Sequence, residues 1–216
     1  MRGTMAGFLS LSLLVAPPAA GQGQECLAGV KMPEVGQWAE YEGVMNKKDR
    51  YTIRYAVVGA EERDGAPMKW LELRMVGEKP DKNMVYQVLT PGNPAEMDAA
   101  QEIVFKPGDK PAMKMPAMMM KMIRGQLKKN SVLGNICEGV SLAGKESVTV
   151  PAGTFQALRY HNDKHDSDTW VVPERPFFMV KATGKDFDMS LASSGDGARS
   201  SITETPQEMP GMGPSK

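Results

Sequence analysis

Short runs in which apolar and polar residues alternate, each closed by a turn dipeptide, constrain this chain to an antiparallel sheet. Arg50 to Gly59 reads RYTIRYAVVG, with Tyr51, Ile53, Tyr55 and Val57 on one side and Thr52 and Arg54 on the other. KWLELRMVG likewise sets Leu71, Leu73 and Met75 against Glu72 and Arg74. A period of two with one wet side is the antiparallel habit, because parallel strands are covered on both faces and read as continuous apolar runs. Between the two runs lies Asp64-Gly65, a pair that accepts the left-handed backbone of a tight hairpin turn. NMVYQVLTPG and QEIVFKPG continue the pattern and end in Pro-Gly chemistry. Past Cys137, ESVTV, the turn at Pro151 to Gly153 and TFQALRYH read as a further hairpin. DTWVVPERPFFMVKATG gives two strands split by Pro173 and Pro176, and KDFDMSLASSG and ARSSITET give the last ones. The sum is roughly nine or ten strands.

One internal stretch departs from this rhythm. Residues 117–129, AMMMKMIRGQLKK, are mostly good helix formers, follow Pro116, and end in basic residues that suit a helix C-terminus. Gly125 costs about 1 kcal/mol relative to alanine, so a short or bent helix is expected. A single helix beside so many strands is expected to lie across a curved sheet and to bury one face there.

The chain opens MRGTMAGFLSLSLLVAPPAAGQGQE: a basic Arg2, an apolar run from Met5 to Val15, then small residues at Ala19, Ala20 and Gly21. That is the layout of a secretory leader over residues 1–21. The run is well short of the roughly 20 residues that cross a bilayer, and Pro17 and Pro18 close it. The expectation is a periplasmic or secreted protein. Residues 22–34 would be an N-terminal segment carrying Cys26, 35–205 a single β-rich domain, and 206–216, rich in Pro and Gly, an unordered tail. Cys26 and Cys137, the two cysteines of the chain, read as one disulfide in an oxidising compartment. Closing so long a loop contributes about 4 to 5 kcal/mol in the chain-entropy model. Two reactive thiols in protein purified without reductant would rule the bridge out. Lipidation of Cys26 is disfavoured by Glu25 directly before it. Of 26 basic residues Arg2 leaves with the leader, so 25 face 26 acidic ones. Bulk attraction to nucleic acid or to an anionic surface is not expected from that balance.

The block VPAGTFQALRY followed by DTWVVPERPFFMVK, taken with the leader, the meander and the interposed helix, resembles bacterial exported proteins of the LolA/LolB-like class and uncharacterised families near it. The pattern covers residues 35–205, the motif Val150 to Lys181. The resemblance implies an unclosed antiparallel β-barrel wrapped around one helix, with a concave apolar face that receives acyl chains. It brings no catalytic residues with it.

Six methionines fall between Met113 and Met122. Met115, Met118, Met119 and Met122 are spaced by three, four and seven, which aligns them on one helix face. Three readings stand side by side: an adaptable apolar lining, a Cu(I) site of thioethers, or plain core. The chain carries 18 methionines in all, so part of the enrichment is compositional habit. HNDKHDSD gathers His161 and His165 with Asp163, Asp166 and Asp168, a set suited to Zn(II) or Cu(II), but it falls at a hairpin tip and reads as a solvated turn. There is no Gly-x-Ser-x-Gly elbow, phosphate loop or metalloprotease helix motif.

The reading is therefore a non-enzymatic exported protein of mainly β fold, needing no cofactor, that takes a lipid or a lipoprotein's acyl chain. Its expected lining is Met115, Met118, Met119, Met122 and Ile123 on the helix, with Leu71, Leu73, Trp170 and Phe178 on the sheet. The alternatives are a Cu(I)-binding protein built on the same methionines, and an envelope interaction module that meets a protein partner.

Overall fold

The computed structural model describes residues 31, 33–91, 99–121 and 139–209. Turn chemistry organises it as the sequence predicts. β1 (Trp38–Met45), β2 (Asp49–Arg63) and β3 (Ala66–Gly77) are joined by hairpins. Arg63 pairs with Ala66 across Asp64 and Gly65, both at positive φ (52° and 75°), which matches the twist of the flanking strands. β4 (Met84–Thr90), β5 (Glu102–Pro107) and β6 (Met113–Lys114) follow, with a 3-10 turn at Pro80–Lys82 before β4. β7 (Val140–Val150) and β8 (Gly153–Asn162) form the hairpin expected around Pro151, and β9 (Ser167–Val171) and β10 (Met179–Thr183) flank the two prolines. β11 (Phe187–Gly195) and β12 (Gln207–Glu208) complete the set.

All twelve strands belong to one open sheet in the order β12-β6-β5-β4-β3-β2-β1-β11-β10-β9-β8-β7. Neighbours are antiparallel except β12, which pairs parallel with β6. The order is a meander whose two edges, β6 with β12 and β7, are consecutive in sequence, while β1 and β11 meet in its middle. The sheet also curls: the Ala152 amide in the β7–β8 turn donates to the Leu191 carbonyl of β11, which lies three strands from β8 and four from β7 (3.1 Å).

Three expectations need correction. Among the described residues the strands number twelve rather than nine or ten, because β6 and β12 are two-residue strands with no alternation to read. ARSSITET is not a strand; it crosses the sheet as an extended segment ending in β12, so Gln207 and Glu208 are paired where an unordered tail was expected. Helix is scant among the described residues, an α-helical turn at 117–121. The remainder of the expected helix with Met122 and Ile123, the expected leader, and Cys26 and Cys137 lie outside the described residues.

The largest core cluster joins Tyr41, Leu191, Val180, Val148, Val150, Ala157 and Trp170. The buried Tyr41 hydroxyl is placed to donate to the carbonyls of Phe177 (3.0 Å) and Met179 (2.9 Å). This anchors Phe177 at φ 52°, a left-handed conformation that an aromatic residue rarely adopts. Phe177 then packs on Tyr55, which stands edge-on to Tyr41 at 5.9 Å. Burial drives the Tyr41 phenol far above its ordinary pKa, and the Tyr55 phenol also upward.

Candidate ligand-binding face

Cross-strand register decides which side chains share a face. Tyr55, Leu73, Tyr86, Phe105 and Met113 are successive partners across β2, β3, β4, β5 and β6. Beside them Tyr41, Ile53, Met75 and Met84 form a second apolar ladder, and Val57, Leu71, Val88 and Ile103 a third. These three ladders make one continuous apolar surface, here the open face. Tyr55, Leu73, Tyr86, Phe105 and Met113 are each half-buried, and so are Leu71, Met75 and Met84. The alternation read in β2 and β3 thus identified one face correctly, Leu71 and Leu73 included. Tyr86, Phe105, Met113 and Met84 share this face and are not in the expected lining, nor is Met75, which the alternation does place here; Met84, Tyr86 and Val88 alternate in NMVYQVL and carry the signal.

The methionine segment lies over one corner of this face. Met120 is 4 % exposed and packs with Ala100 and Ile103, against which Val88 and Met115 also rest. The Met115 amide donates to the Ile103 carbonyl (2.9 Å), and the Met120 amide to the Pro116 carbonyl (3.0 Å), closing the helical turn. Met118 points to solvent, 81 % exposed, and Met119 is half-buried. The inward residue is thus Met120, which was not in the expected stripe, while Met118, which was, faces water. Three consecutive methionines carry no periodicity by which to tell them apart.

The opposite face of β3 to β5 is not the wet surface its polar residues suggest. Glu72 is 4 % exposed. One of its carboxylate oxygens accepts from Gln87 Nε2 (2.7 Å) and from the Ser201 amide (2.9 Å), while Gln87 also donates to Ser200 Oγ (2.6 Å). A buried carboxylate is tolerated when donors satisfy it. One donor, Gln87, stands on the neighbouring β4, and the other comes from a strap, residues 196–209, that crosses this face after β11. Ile202 of the strap sits among Val104, Ala112, Trp70 and Val85. Glu204 accepts from Lys106 (2.6 Å) and from the Ala112 amide (3.3 Å), and the Gln207 amide donates to the Ala112 carbonyl. The Lys106 hydrogen bond, foremost among these partners, lowers the Glu204 carboxyl to about 2.

Trp170 and Phe178 are elsewhere. Trp170 is buried in the main core cluster, with Arg159 and Lys181 near its ring at 5.5 and 5.1 Å. Phe178 is half-buried beside the Pro-rich turn, its carbonyl accepting from the Val172 amide (2.8 Å). Neither shares the open face with Leu71, Leu73 and Met115. At the histidine turn Arg159 grips Asp168 through two nitrogens (3.0 and 3.1 Å), and the His161 ring lies between Asp168 (3.2 Å) and Asp163 (3.5 Å). The hydrogen bond from Arg159 holds the Asp168 carboxyl below its usual range. A guanidinium already occupying that carboxylate opposes a metal cation. Among the described residues no group of three or more His, Cys, Asp or Glu could hold a metal ion.

A shallow cleft of about 500 Å³ opens where β1, β2, β3 and β11 end, lined by Glu42, Arg50, Tyr51, Thr52, Asp188 and Ser190 among others. Its walls are mixed in charge and range from half-buried to exposed. Among the described residues no helix is long and apolar enough to cross a membrane, which leaves strand-built spans unaddressed.

No family model and no curated protein matches the chain. Among solved structures it is similar to a protein described as exported, with a YmcC-like fold, from Bacteroides fragilis, at 10% identity over 76% of this chain and 97% of that one, TM-score 0.36. It is equally similar to a protein described as a lipoprotein from Parabacteroides distasonis, at 10% identity over 77% and 98%, TM-score 0.36. At that TM-score the likeness assigns neither family nor function.

Proposed function

We propose that this is an exported, non-enzymatic binding protein that lays an apolar or amphipathic ligand, such as a lipid or a lipoprotein's acyl chain, along its open face. The observation that carries the reading is the ladder Tyr55, Leu73, Tyr86, Phe105 and Met113, half-buried where a closed core would be fully buried. A contiguous apolar surface of this kind marks an interaction site more often than idle surface. Covering about 100 Å² of it contributes about 2.5 kcal/mol, so an acyl chain spanning two or three ladders would be held without any bond-forming chemistry. Methionines at the corner suit a ligand of variable shape, because their unbranched side chains repack. The leader at residues 1–21 supports export to the periplasm or beyond.

Native mass spectrometry of protein purified without delipidation tests the reading. A co-purifying lipid mass is expected, and its loss in Leu73→Asp with the fold intact places it on the open face. Protein that emerges empty and whose melting temperature no fatty acid raises would refute the reading. A copper increment in the same spectrum would select the thioether alternative instead.

A further inference from the structure

The open face continues along the seam between β1 and β11, and there it runs out to solvent. Tyr41 faces Leu191, Gly43 faces Met189, and Met45 faces Phe187. Exposure rises along that series from the buried first pair to 40 % at Met45 and 37 % at Phe187. The last pair sits where two turns meet: the Asn46 amide in the β1–β2 turn donates to the Asp186 carbonyl in the β10–β11 turn (2.7 Å). Asn46 and Lys47 both hold positive φ, which folds the first turn back tightly. Gly184 lets the Phe187 ring lie flat on the second turn, since a Cβ there would fall 2.4 Å from the ring.

Around the apolar pair stand three lysines, Lys47, Lys48 and Lys185. Among the described residues none of them forms an ion pair, whereas Lys82 nearby is held by Asp49 (3.7 Å). Lys47 and Lys185 line a cleft of about 220 Å³ together with Thr183 and the Phe187 ring; Asp186 and Asp188 border the same cleft. With Lys82 and Asp49 included, the local balance is four cations to three carboxylates on a chain that is close to neutral overall.

We infer that this end of the sheet docks on an anionic bilayer surface, with Met45 and Phe187 entering the acyl boundary and Lys47, Lys48 and Lys185 meeting headgroup phosphates. Apolar side chains ringed by unpaired lysines combine the two signals that reversible membrane attachment needs. The lysines choose the bilayer over a second copy of the chain, because the same surface on a partner copy would set lysine against lysine. Docking does not require the open face to hold a ligand, so it can fail or succeed apart from the proposed function.

Vesicle flotation of the exported, leader-free protein tests this. Binding is expected to vesicles of equal parts phosphatidylcholine and phosphatidylglycerol, weak binding to phosphatidylcholine alone, and release as salt screens the lysines. Lys47→Ala and Lys185→Ala should each weaken binding about five-fold, and Phe187→Ser about ten-fold, with circular dichroism unchanged. Should Phe187→Ser disturb the fold, the lysine variants decide. Equal binding to both vesicle types, or lysine variants that float like the parent, would overturn the inference. So would a concentration-dependent dimer that floats with neither.

Discussion

The two faces of β2 to β5 are built from the same strands and finished in opposite ways. On one, the strap brings its own apolar plug, Ile202, a donor in the Ser201 amide and acceptors in Ser200 Oγ and Glu204, so that with Gln87 even the Glu72 carboxylate is buried and satisfied. On the other, the apolar ladders are only partly closed: Tyr41, Ile53, Val57 and Ile103 are buried, Tyr55, Leu73, Tyr86, Phe105 and Met113 stay half-buried, and among the described residues a helical turn lies at one corner. The difference teaches that polarity along a strand does not decide which face is core. What decides it is which remote segment arrives to cover it. The strap closes one face, and the face it leaves is the one we propose for binding.

The sharpest way to break that contrast is a pair of charge insertions. Ile202→Asp in the strap places a carboxylate in a closed apolar cluster and should destabilise the protein by about 3 to 4 kcal/mol in urea titration. Leu73→Asp on the open face should cost about 1 kcal/mol, since its carboxylate can reach water, while abolishing ligand binding. Equal costs would mean the open face is core after all. Next in size, Glu72→Ala strands Gln87 and the Ser201 amide, with an expected loss of about 2 kcal/mol; Glu72→Gln should lose less because its carbonyl still accepts.

A subtler test uses acid. Glu204 has a folded value of about 2 against an ordinary 4.5, so its contribution is complete above the ordinary value and disappears as pH falls through 4.5 towards 2. Amide exchange in residues 199–209 should therefore accelerate over that interval before β2 to β4 respond, and Glu204→Gln should remove that pH dependence. Uniform acceleration across both regions would show that the strap does not open on its own.

Much of the sheet was legible because its information is local. Asp64-Gly65 and Pro151 to Gly153 carry their turn geometry in adjacent residues, and the alternation of β2 and β3 placed Tyr51, Ile53, Tyr55, Leu71, Leu73 and Met75 on a shared face. What could not be read depends on distant partners. Glu72 looks wet until Ser201, 129 positions away, comes to meet it. The short β6 and β12 exist only through their pairing with each other and with β5. Of the expected lining, Leu71, Leu73 and Met115 gather on the open face, and Trp170 and Phe178 do not. The difference is register, which sets how ladders extend across strands and is invisible within any one of them.

The meeting of β1 and β11 mid-sheet has a consequence for how the chain acquires its fold. β1 to β6 and β7 to β11 are each local meanders, able to zip from neighbouring hairpins with small loop-closure cost. Their seam joins Trp38 to Asp196, 158 positions apart. A chain delivered across a membrane N-terminus first would thus present β1 with one edge unpaired until nearly all of it had emerged. During that interval Tyr41, destined for the centre of the core, has no Leu191 to face, and the emerging half-sheet is the form most exposed to aggregation or to a chaperone's grip.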